Sequence, residues 1–158
     1  MIQKLIIPPD RDGYSFTDGT QILSVKLDGG ASKYRQDILD AASNFNVSWT
    51  CDPDEYNYLR AFYKKVVNYG ALPFLIDLYY DNPFELTEHT AHIVPGTFGL
   101  KSQSGLKFVV SATIEVDQID MDQNNIDSAM LYGLFGNEYQ TYNDLFDNLM
   151  NVQLPAIM

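Results

Sequence analysis

The stretch Phe45-Asn46-Val47-Ser48-Trp49-Thr50-Cys51 is the part of the sequence that most clearly indicates the fold class. Its apolar and polar residues alternate one by one, and this period of two is typical of a β-strand with one buried face. A helix signal follows at once, because Asp52 suits the N-cap, Pro53 suits the first helical position, and Glu55 completes a pattern like a capping box. The sequence therefore predicts a strand that leads directly into a helix.

The predicted helix carries a strongly aromatic face. Its apolar residues recur at helical spacing: Tyr56, Leu59, Phe62, Tyr63, Val66 and Val67. Gly70 suits the position after the helix end, where a left-handed backbone is common. Because a face this aromatic is poorly suited to water, we expect the helix to pack on a sheet.

Further strands are predicted on both sides of this unit. Residues 108–116 alternate most regularly, residues 74–80 form an almost continuous apolar run, and residues 84–94 predict one or two strands. A short strand is predicted at residues 4–7. Residues 10–20 and 96–105 are expected to be loops, since both stretches contain glycine and polar residues. A mainly β (α+β) domain over residues 1–117 follows.

The strand predicted from residue 21 has no obvious core of its own. Leu23, Val25 and Leu27 alternate with polar residues, and Gly29-Gly30 then supplies a turn. Paired with the strand at residues 45–51, this segment would form a long β-hairpin arm. Because the distal part of such an arm lacks a clear core face, we expect it to pack on something other than its own domain.

Residues 118–158 are expected to form a helical C-terminal extension. Two helices are predicted, at residues 126–135 and 138–150, with a break at Gly136. The second helix carries an apolar stripe with four docking candidates: Tyr139, Tyr142, Phe146 and Leu149. Docking on the chain's own sheet is the preferred interpretation, and docking on a neighbouring chain is the alternative.

Composition excludes several classes of protein. The chain has 158 residues, is 46% hydrophobic and carries a net charge of −11. The charge argues against a nucleic-acid binder and against binding to an anionic membrane, because both need a basic surface. The apolar stretches are too short to span a bilayer. A single cysteine excludes an internal disulfide framework, and the N-terminus shows no signal-peptide pattern, which favours synthesis in a cytoplasm.

The sequence offers little support for catalysis. Glu85, Glu88, His89 and His92 could suggest zinc, but the order is not His-Glu-x-x-His, and on a strand the two histidines would point to opposite faces. Cys51 alternates with apolar residues and is expected to be a small core residue. We therefore expect no catalytic residues, no metal site and no cofactor.

A calcium site is also expected to be absent. Asp120, Asp122 and Asn124 copy the first ligand positions of an EF-hand loop. Asn125 stands where that loop needs glycine, and Leu131 stands where it needs a bidentate glutamate. A polar linker is the better interpretation.

The order of these elements resembles a known family. The order runs through Val25-Lys26-Leu27-Asp28-Gly29-Gly30, Lys33-Tyr34-Arg35, Asn46-Val47-Ser48-Trp49-Thr50, Tyr58-Leu59-Arg60-Ala61-Phe62-Tyr63, Gly70-Ala71-Leu72-Pro73-Phe74-Leu75-Ile76 and the strand at residues 108–116. Over residues 21–117 the chain is similar to the lambda-type minor tail protein M family of long-tailed phages. It departs from that family in three places: the turn lacks the Gly-Asp-Gly-Tyr spelling, residues 81–105 form a long connection, and the helical tail is extra.

The resemblance implies a fold, an assembly and a location. The fold would be a tail-tube-like β-sandwich with one flanking helix, and the protein would be a non-enzymatic component of the virion, made in the host bacterial cytoplasm. It would form a ring, expected to be a homo-hexamer, at the tail tip or baseplate, with tube subunits and tip or hub proteins as partners.

In such rings, hairpin arms of neighbouring subunits join into a barrel that lines the DNA channel, so DNA is only passing cargo. Inter-subunit candidates on this chain are Leu23, Val25, Leu27, Phe45 and Val47. Channel-facing candidates are Asp28, Asp37 and Asp40, whose carboxylates would repel phosphate.

Alternative functions stay open. A distal tail protein, a tail terminator and a tube subunit share the fold and cannot be separated from a tip ring. A carbohydrate- or host-binding β-module would explain the 11 tyrosines. A small metallohydrolase using His89 and His92 is the remaining alternative.

Overall fold

In a computed structural model of the chain, the structure describes residues 1–39, 41–80, 84–117 and 123–148; within the last range, the side chains of residues 123–125, 139, 142–143 and 146–147 lie outside the description. The strands are β1 (Ser15–Thr17), β2 (Ile22–Val25), β3 (Lys33–Gln36), β4 (Ser43–Cys51), β5 (Phe74–Leu78), β6 (Thr87–Ile93), β7 (Gly99–Ser104) and β8 (Lys107–Val116). The helices are α1 (Pro53–Ala61), α2 (Gln123–Phe135) and α3 (Tyr139–Asn148). The predicted mainly β (α+β) class, with a flanking helix and C-terminal helices, is confirmed.

Six strands form one antiparallel sheet with β8 at its centre. The order is β1-β4-β8-β6-β5, and β7 also pairs with β8. One edge of β8 pairs with β4 along its whole length, from Phe108 opposite Cys51 to Val116 opposite Ser43. Its other edge pairs with β7 in the first half and with β6 in the second. The two most regular alternating stretches of the sequence therefore lie side by side in the middle of the sheet.

The sheet curls, and the N-terminal segment bridges its edges. Leu5 donates its N–H to the carbonyl of Leu75 on β5 at 2.8 Å, and Asp10 donates its N–H to the carbonyl of Ser48 on β4, also at 2.8 Å. A segment this short can reach both strands only if the sheet curls around its core. The Tyr14 hydroxyl closes the same gap by donating to the carbonyl of Tyr79, just beyond β5.

Helix α1 covers the inner face of the sheet. The Glu55 carboxylate accepts the N–H of Asp52 at 3.1 Å, so this half of the predicted capping box is present. Leu59 and Phe62 are buried, and the Phe62 ring packs edge-on against Phe74 of β5 at 5.6 Å. The predicted packing of the helix on a sheet is confirmed. A π-helical turn (Phe62–Val66) and a 3-10 turn (Asn68–Gly70) continue α1.

Gly70 ends this helical segment with a left-handed backbone, at φ +96°. A Cβ at that position would overlap the carbonyl oxygen of Ile93 on β6. The glycine is therefore required both by its dihedral angle and by the close approach of β6.

The core consists of the inward residues of four strands, β4, β5, β6 and β8, together with residues of the N-terminal segment, of α1 and of the helical turns that follow α1. The buried apolar residues are Leu5, Phe45, Val47, Trp49, Cys51, Leu59, Phe62, Val67, Phe74, Ile76, Leu78, Ala91, Ile93, Val110, Ala112, Ile114 and Val116. Alternate residues of β4 and β8 occupy this core, as their period of two predicts.

Several local predictions are wrong. β1 lies within residues 10–20, and β7 occupies most of residues 96–105, where loops were predicted. The sequence gives little sign of either strand, because β1 has only three residues and most of β7 is exposed. Both are held by pairing with a long buried neighbour, β4 or β8, and not by an alternating pattern of their own.

The chain divides into two compact units, Met1–Gln118 and Ile119–Met158. In the second unit, α2 and α3 are separated at Gly136, whose φ is +60°, so a break at this glycine is present. The docking candidates Tyr139, Tyr142 and Phe146 have side chains outside the described residues, and Leu149 lies wholly outside them. No helix within the described ranges is long and apolar enough to cross a bilayer.

Candidate functional site

The candidate site is a two-stranded arm over residues 21–39, made of β2, β3, their connection and the flanking residues, since the Gln21 carbonyl accepts the N–H groups of Asp37 and Ile38. β2 pairs only with β3 in the described part of the chain, with Leu23 opposite Arg35 and Val25 opposite Lys33. Opposed residues share one face of a ribbon. One face therefore carries these four side chains, and the other carries Ile22, Ser24 and their partners.

The connection turns at Gly29, the middle of the seven residues that join β2 to β3. Gly30 donates its N–H to the carbonyl of Leu27 at 3.4 Å, and Gly29 has φ +85°. Glycine accepts this left-handed backbone without strain. The predicted turn at these glycines is present, although it joins β2 to β3 and not to β4.

The arm exposes an unusual number of apolar side chains on both faces. The exposed fractions are Ile22 52%, Leu23 46%, Val25 50%, Leu27 44%, Tyr34 72%, Ile38 53% and Leu39 72%. A single exposed leucine is ordinary, but a cluster of this size on one projecting element marks an interaction surface. A two-stranded hairpin by itself is also only marginally stable in water. The arm thus has the properties of a segment that is completed by a partner.

The base of the arm, where the segments around Gly19 and Ala41 meet, is the neck, and it is fixed to the body, which is the six-stranded sheet with α1. A Cβ on Gly19 would overlap the carbonyl oxygen of Ala41, so the two chain segments can approach this closely only because residue 19 is glycine. The Gly19 N–H donates to the Ser43 hydroxyl at 3.4 Å, and that buried hydroxyl lies 3.0 Å from the Tyr80 hydroxyl. Polar contacts therefore hold the base of the arm against the end of β5.

The predicted arm is too long, and two of its candidate residues belong elsewhere. β4 pairs with β1 and β8 and not with β2, because its alternating residues are needed in the core. Phe45 and Val47 are buried there, at 0% and 3% exposure, so they are removed from the inter-subunit candidates. Leu23, Val25 and Leu27 lie exposed on the arm and are retained as candidates.

The charge of the arm is mixed. Asp28 is exposed in the turn, and Asp37 accepts a hydrogen bond from Arg35 at 2.7 Å in an exposed ion pair. Lys26 and Lys33 add two more positive charges to this short element. Asp40 lies outside the described residues. Arg35 therefore offsets the charge of Asp37, and the proposed acidic lining is weakened at that position, whereas Asp28 stays a candidate.

The histidine pair does not form a site. His89 and His92 lie on opposite faces of β6, as expected for residues three apart on a strand. The His89 side chain is buried in the body, with Nε2 2.7 Å from the Thr87 hydroxyl and its ring 5.7 Å from that of Tyr80. Within the described ranges, no three potential ligands come together in a group that could hold a metal. The Asp120-Asp122 pattern lies outside those ranges.

Cys51 has the environment of a core residue. Its thiol is buried, and burial, followed by the nearby Glu55 and Asp52 carboxylates, raises its pKa. Its Sγ lies 3.4 Å from the carbonyl oxygen of Phe108 on β8. A thiol with a raised pKa is a poor nucleophile, because the thiolate is the reactive species.

A polar groove crosses the outer face of β4 and β8. It encloses about 500 Å³. Hydroxyl and charged groups line much of it, among them Asp10, Asp12, Ser48, Thr50, Lys101 and Thr113. The sequence shows the alternating polar residues of the two strands but does not reveal that the N-terminal loop forms one wall of the groove.

No protein-family model matches the chain, and a search of curated proteins also finds no match.

Proposed function

We propose that this protein is a non-enzymatic structural component of a bacteriophage tail, located in the virion, where it forms a ring at the tail tip or baseplate. The ring is a homo-hexamer that continues the DNA channel of the tail tube and contacts other tail proteins. The observation that carries the proposal is the exposed apolar arm, fixed at its neck to a well-packed body. The resemblance to the minor tail protein M family over residues 21–117 gives the assembly and its location.

Pairing of arms between copies would satisfy the physical needs of this element. The apolar side chains of β2 are about half exposed, so burying the rest of each gains roughly half of the 1.5–3 kcal/mol that complete burial provides, and association of several arms is favourable. Strand pairing between chains also satisfies the free backbone groups on the outer edges of β2 and β3, which otherwise invite uncontrolled aggregation. A closed ring of arms removes these edges altogether.

The passage of DNA does not require an acidic arm. Residues 21–40 contain three basic and three acidic residues, so their net charge is zero, and the protein as a whole carries −11. A channel without a basic stripe lacks the counterion-release term that makes proteins adhere to DNA. The chain would thus guide DNA as cargo without binding it.

The test is to measure the mass of the purified chain by light scattering and to image the same sample by negative-stain microscopy. We compare wild type with a Leu23→Asn/Val25→Asn variant. Leu72→Asn is the matched control, because Leu72 is 50% exposed, as Val25 is, but lies outside the arm. Six-fold rings or tubes are expected for wild type and for the control, and their loss is expected for the arm variant.

Two results would count against the proposal. Equal assembly of the arm variant and wild type would show that the arm is not the joining element. A wild-type monomer at all concentrations, which also fails to form rings when mixed with a tail-tube subunit, would remove the ring itself.

A carbohydrate- or host-binding module is a second candidate, favoured by the polar groove. Hydroxyl, amide and carboxylate groups of the kind that line it, such as Asp12, Ser48 and Thr113, are suited to hydrogen-bond a sugar. Binding of the monomer to a glycan array, lost in an Asp12→Ala variant with unchanged stability, would support this function in place of the ring.

A further inference from the structure

A basic face with an aromatic floor lies on the body of this acidic protein, away from the elements of the arm. It surrounds a cavity of about 200 Å³ between α1 with its π-helical turn and the start of β7. The lining side chains include Tyr56, Arg60, Tyr63, Lys64, Phe98 and Leu100. We call this surface the basic face.

Two cations, Arg60 and Lys64, line the cavity, and no carboxylate does so among the described residues. The sequence segments that supply the lining are also poor in acidic residues. Residues 56–76 and 89–114 contain five of the ten Lys and Arg residues and no Asp or Glu. The rest of the chain holds the other five cations and all 21 acidic residues. Local charge of one sign on a protein of the opposite overall sign favours a partner of complementary charge.

The floor of the basic face is preorganised by ring stacking. Tyr63 stacks on Phe98 at 4.4 Å, and Tyr56 stacks on Phe108 at 4.7 Å. The Arg60 guanidinium lies 5.5 Å from the centre of the Tyr56 ring. Aromatic side chains fixed by stacking offer contact area at low entropic cost, and a neighbouring arginine or lysine can pair with a carboxylate. The face thus fits a ligand that is apolar and acidic at once.

The C-terminal unit of this same chain has that chemistry. Residues 119–158 contain six acidic residues and neither lysine nor arginine. Its described part also exposes large apolar side chains: Ile126, Met130, Tyr132, Leu134, Phe135 and Leu145. An apolar, purely acidic helical segment is complementary to the basic face in both charge and hydrophobicity.

We propose that the basic face of one copy binds the helical C-terminal unit of a second copy. The exposed Glu138 and Asp144 meet Arg60 and Lys64, and an apolar side chain enters the cavity. Such a contact is heterologous, because it joins two different surfaces, and contacts of this type generate rings or filaments. The inference rests on the proposed function only in that copies associate, and it names a joining surface separate from the arm.

The test uses full-length variants with reversed charge. The first variant carries Arg60→Glu and Lys64→Glu, and the second carries Glu138→Lys and Asp144→Lys, all at exposed positions. Two single variants form a matched pair, Lys64→Glu as the test and Lys65→Glu as the control. Both change the charge equally on one helical turn, but only Lys64 lines the cavity. Sedimentation velocity measures self-association over a range of protein and salt concentrations.

We expect wild type to associate reversibly, and more weakly at about 0.5 M salt than at about 0.05 M. Each double variant should associate at least about tenfold more weakly, whereas an equimolar mixture of the two should recover to within about threefold of wild type. Lys64→Glu should weaken association more than Lys65→Glu does. Recovery in the mixture also shows that both variants are folded.

The inference is overturned if wild type shows no concentration-dependent mass, if either double variant associates as wild type does, or if the mixture associates no better than its components. Its failure differs from failure of the proposed function. Rings that survive both charge reversals but not Leu23→Asn/Val25→Asn would leave the proposed function standing alone. Charge-dependent association without rings would leave only this contact.

Discussion

Replacing Phe45 with alanine should destabilise the monomer severely, whereas replacing Leu23 with alanine should hardly affect it. A regular alternating pattern surrounds both residues in the sequence, and both are natural candidates for one hairpin. The structure separates them completely: Phe45 is 0% exposed in the core, and Leu23 is 46% exposed on the arm.

The magnitude follows from the surroundings of the Phe45 ring. It contacts Tyr14 at 5.7 Å, Phe16 at 5.1 Å and Tyr80 at 5.0 Å between ring centres. A buried Phe→Ala change costs about 3–5 kcal/mol, and aromatic pairs add about 0.5–1.5 kcal/mol each to simple burial. We therefore expect about 4–5 kcal/mol. Leu23→Ala should change the free energy of unfolding by less than about 0.5 kcal/mol, as exposed substitutions usually do.

Urea unfolding followed by tryptophan fluorescence measures both values. Trp49 is the one tryptophan of the chain, is buried at 1% exposure and lies on the same strand as Phe45. Since domains have a total stability of about 5–15 kcal/mol, Phe45→Ala should lower the transition midpoint sharply. Measurements at low protein concentration keep association from contributing.

Two results would contradict this prediction: a loss of less than about 1 kcal/mol of unfolding free energy for Phe45→Ala, or an equal loss for Leu23→Ala. The first result would mean that the aromatic cluster around Phe45 is not packed. The second would mean that the arm folds onto the body of its own chain.

Three further predictions concern single positions in the body. Gly70→Ala should lower the free energy of unfolding by about 3 kcal/mol or more in the same urea assay, because the left-handed backbone and the nearby β6 carbonyl both exclude a Cβ. A loss below about 0.5 kcal/mol would contradict this prediction. Cys51 should react with a thiol reagent at pH 8 at least about a hundredfold more slowly in the folded protein than in urea, because burial raises its pKa and blocks access; equal rates would show an open thiol. Lys4 has a raised pKa because it is hydrogen-bonded to Asp77 and Glu88, so its contribution to stability is fully present below about pH 10.4 and is lost as the pH rises through the folded-state pKa. The difference in urea midpoint between wild type and Lys4→Met should accordingly shrink above about pH 10.4, and a difference that grew there would reverse the assigned sign.

Elements with a strong local pattern could be predicted from the sequence. β4 and β8 have inward residues that are apolar at every second position, and α1 has both a capping pattern and an apolar stripe. In these segments burial and local preference agree, so the period of the pattern is sufficient to predict the element.

Elements without a buried face were poorly predicted or missed. β3 contains Lys33-Tyr34-Arg35 and is exposed throughout, and β7 is mostly exposed as well. Each becomes a strand because it pairs with β2 or β8, and pairing between separate segments leaves no periodic signal in either one. The turn at Gly29-Gly30 could be predicted from its glycines, but the strand that follows it, β3, could not.

Local sequence patterns and composition are sufficient to predict the mainly β class, the strand-to-helix unit at residues 45–61, the glycine end of that helix and the surplus of acidic charge. Those features depend on neighbouring residues or on composition, which a single chain displays directly. Only the folded chain reveals that β4 pairs with β8 and not with β2, an arrangement that buries Phe45 and Val47 and leaves Leu23 and Val25 exposed on a short arm. Which strands pair depends on the apolar area buried over the whole sheet. Two strands with equally regular alternation can both fit a position beside β8, and the strand that buries more apolar surface occupies it.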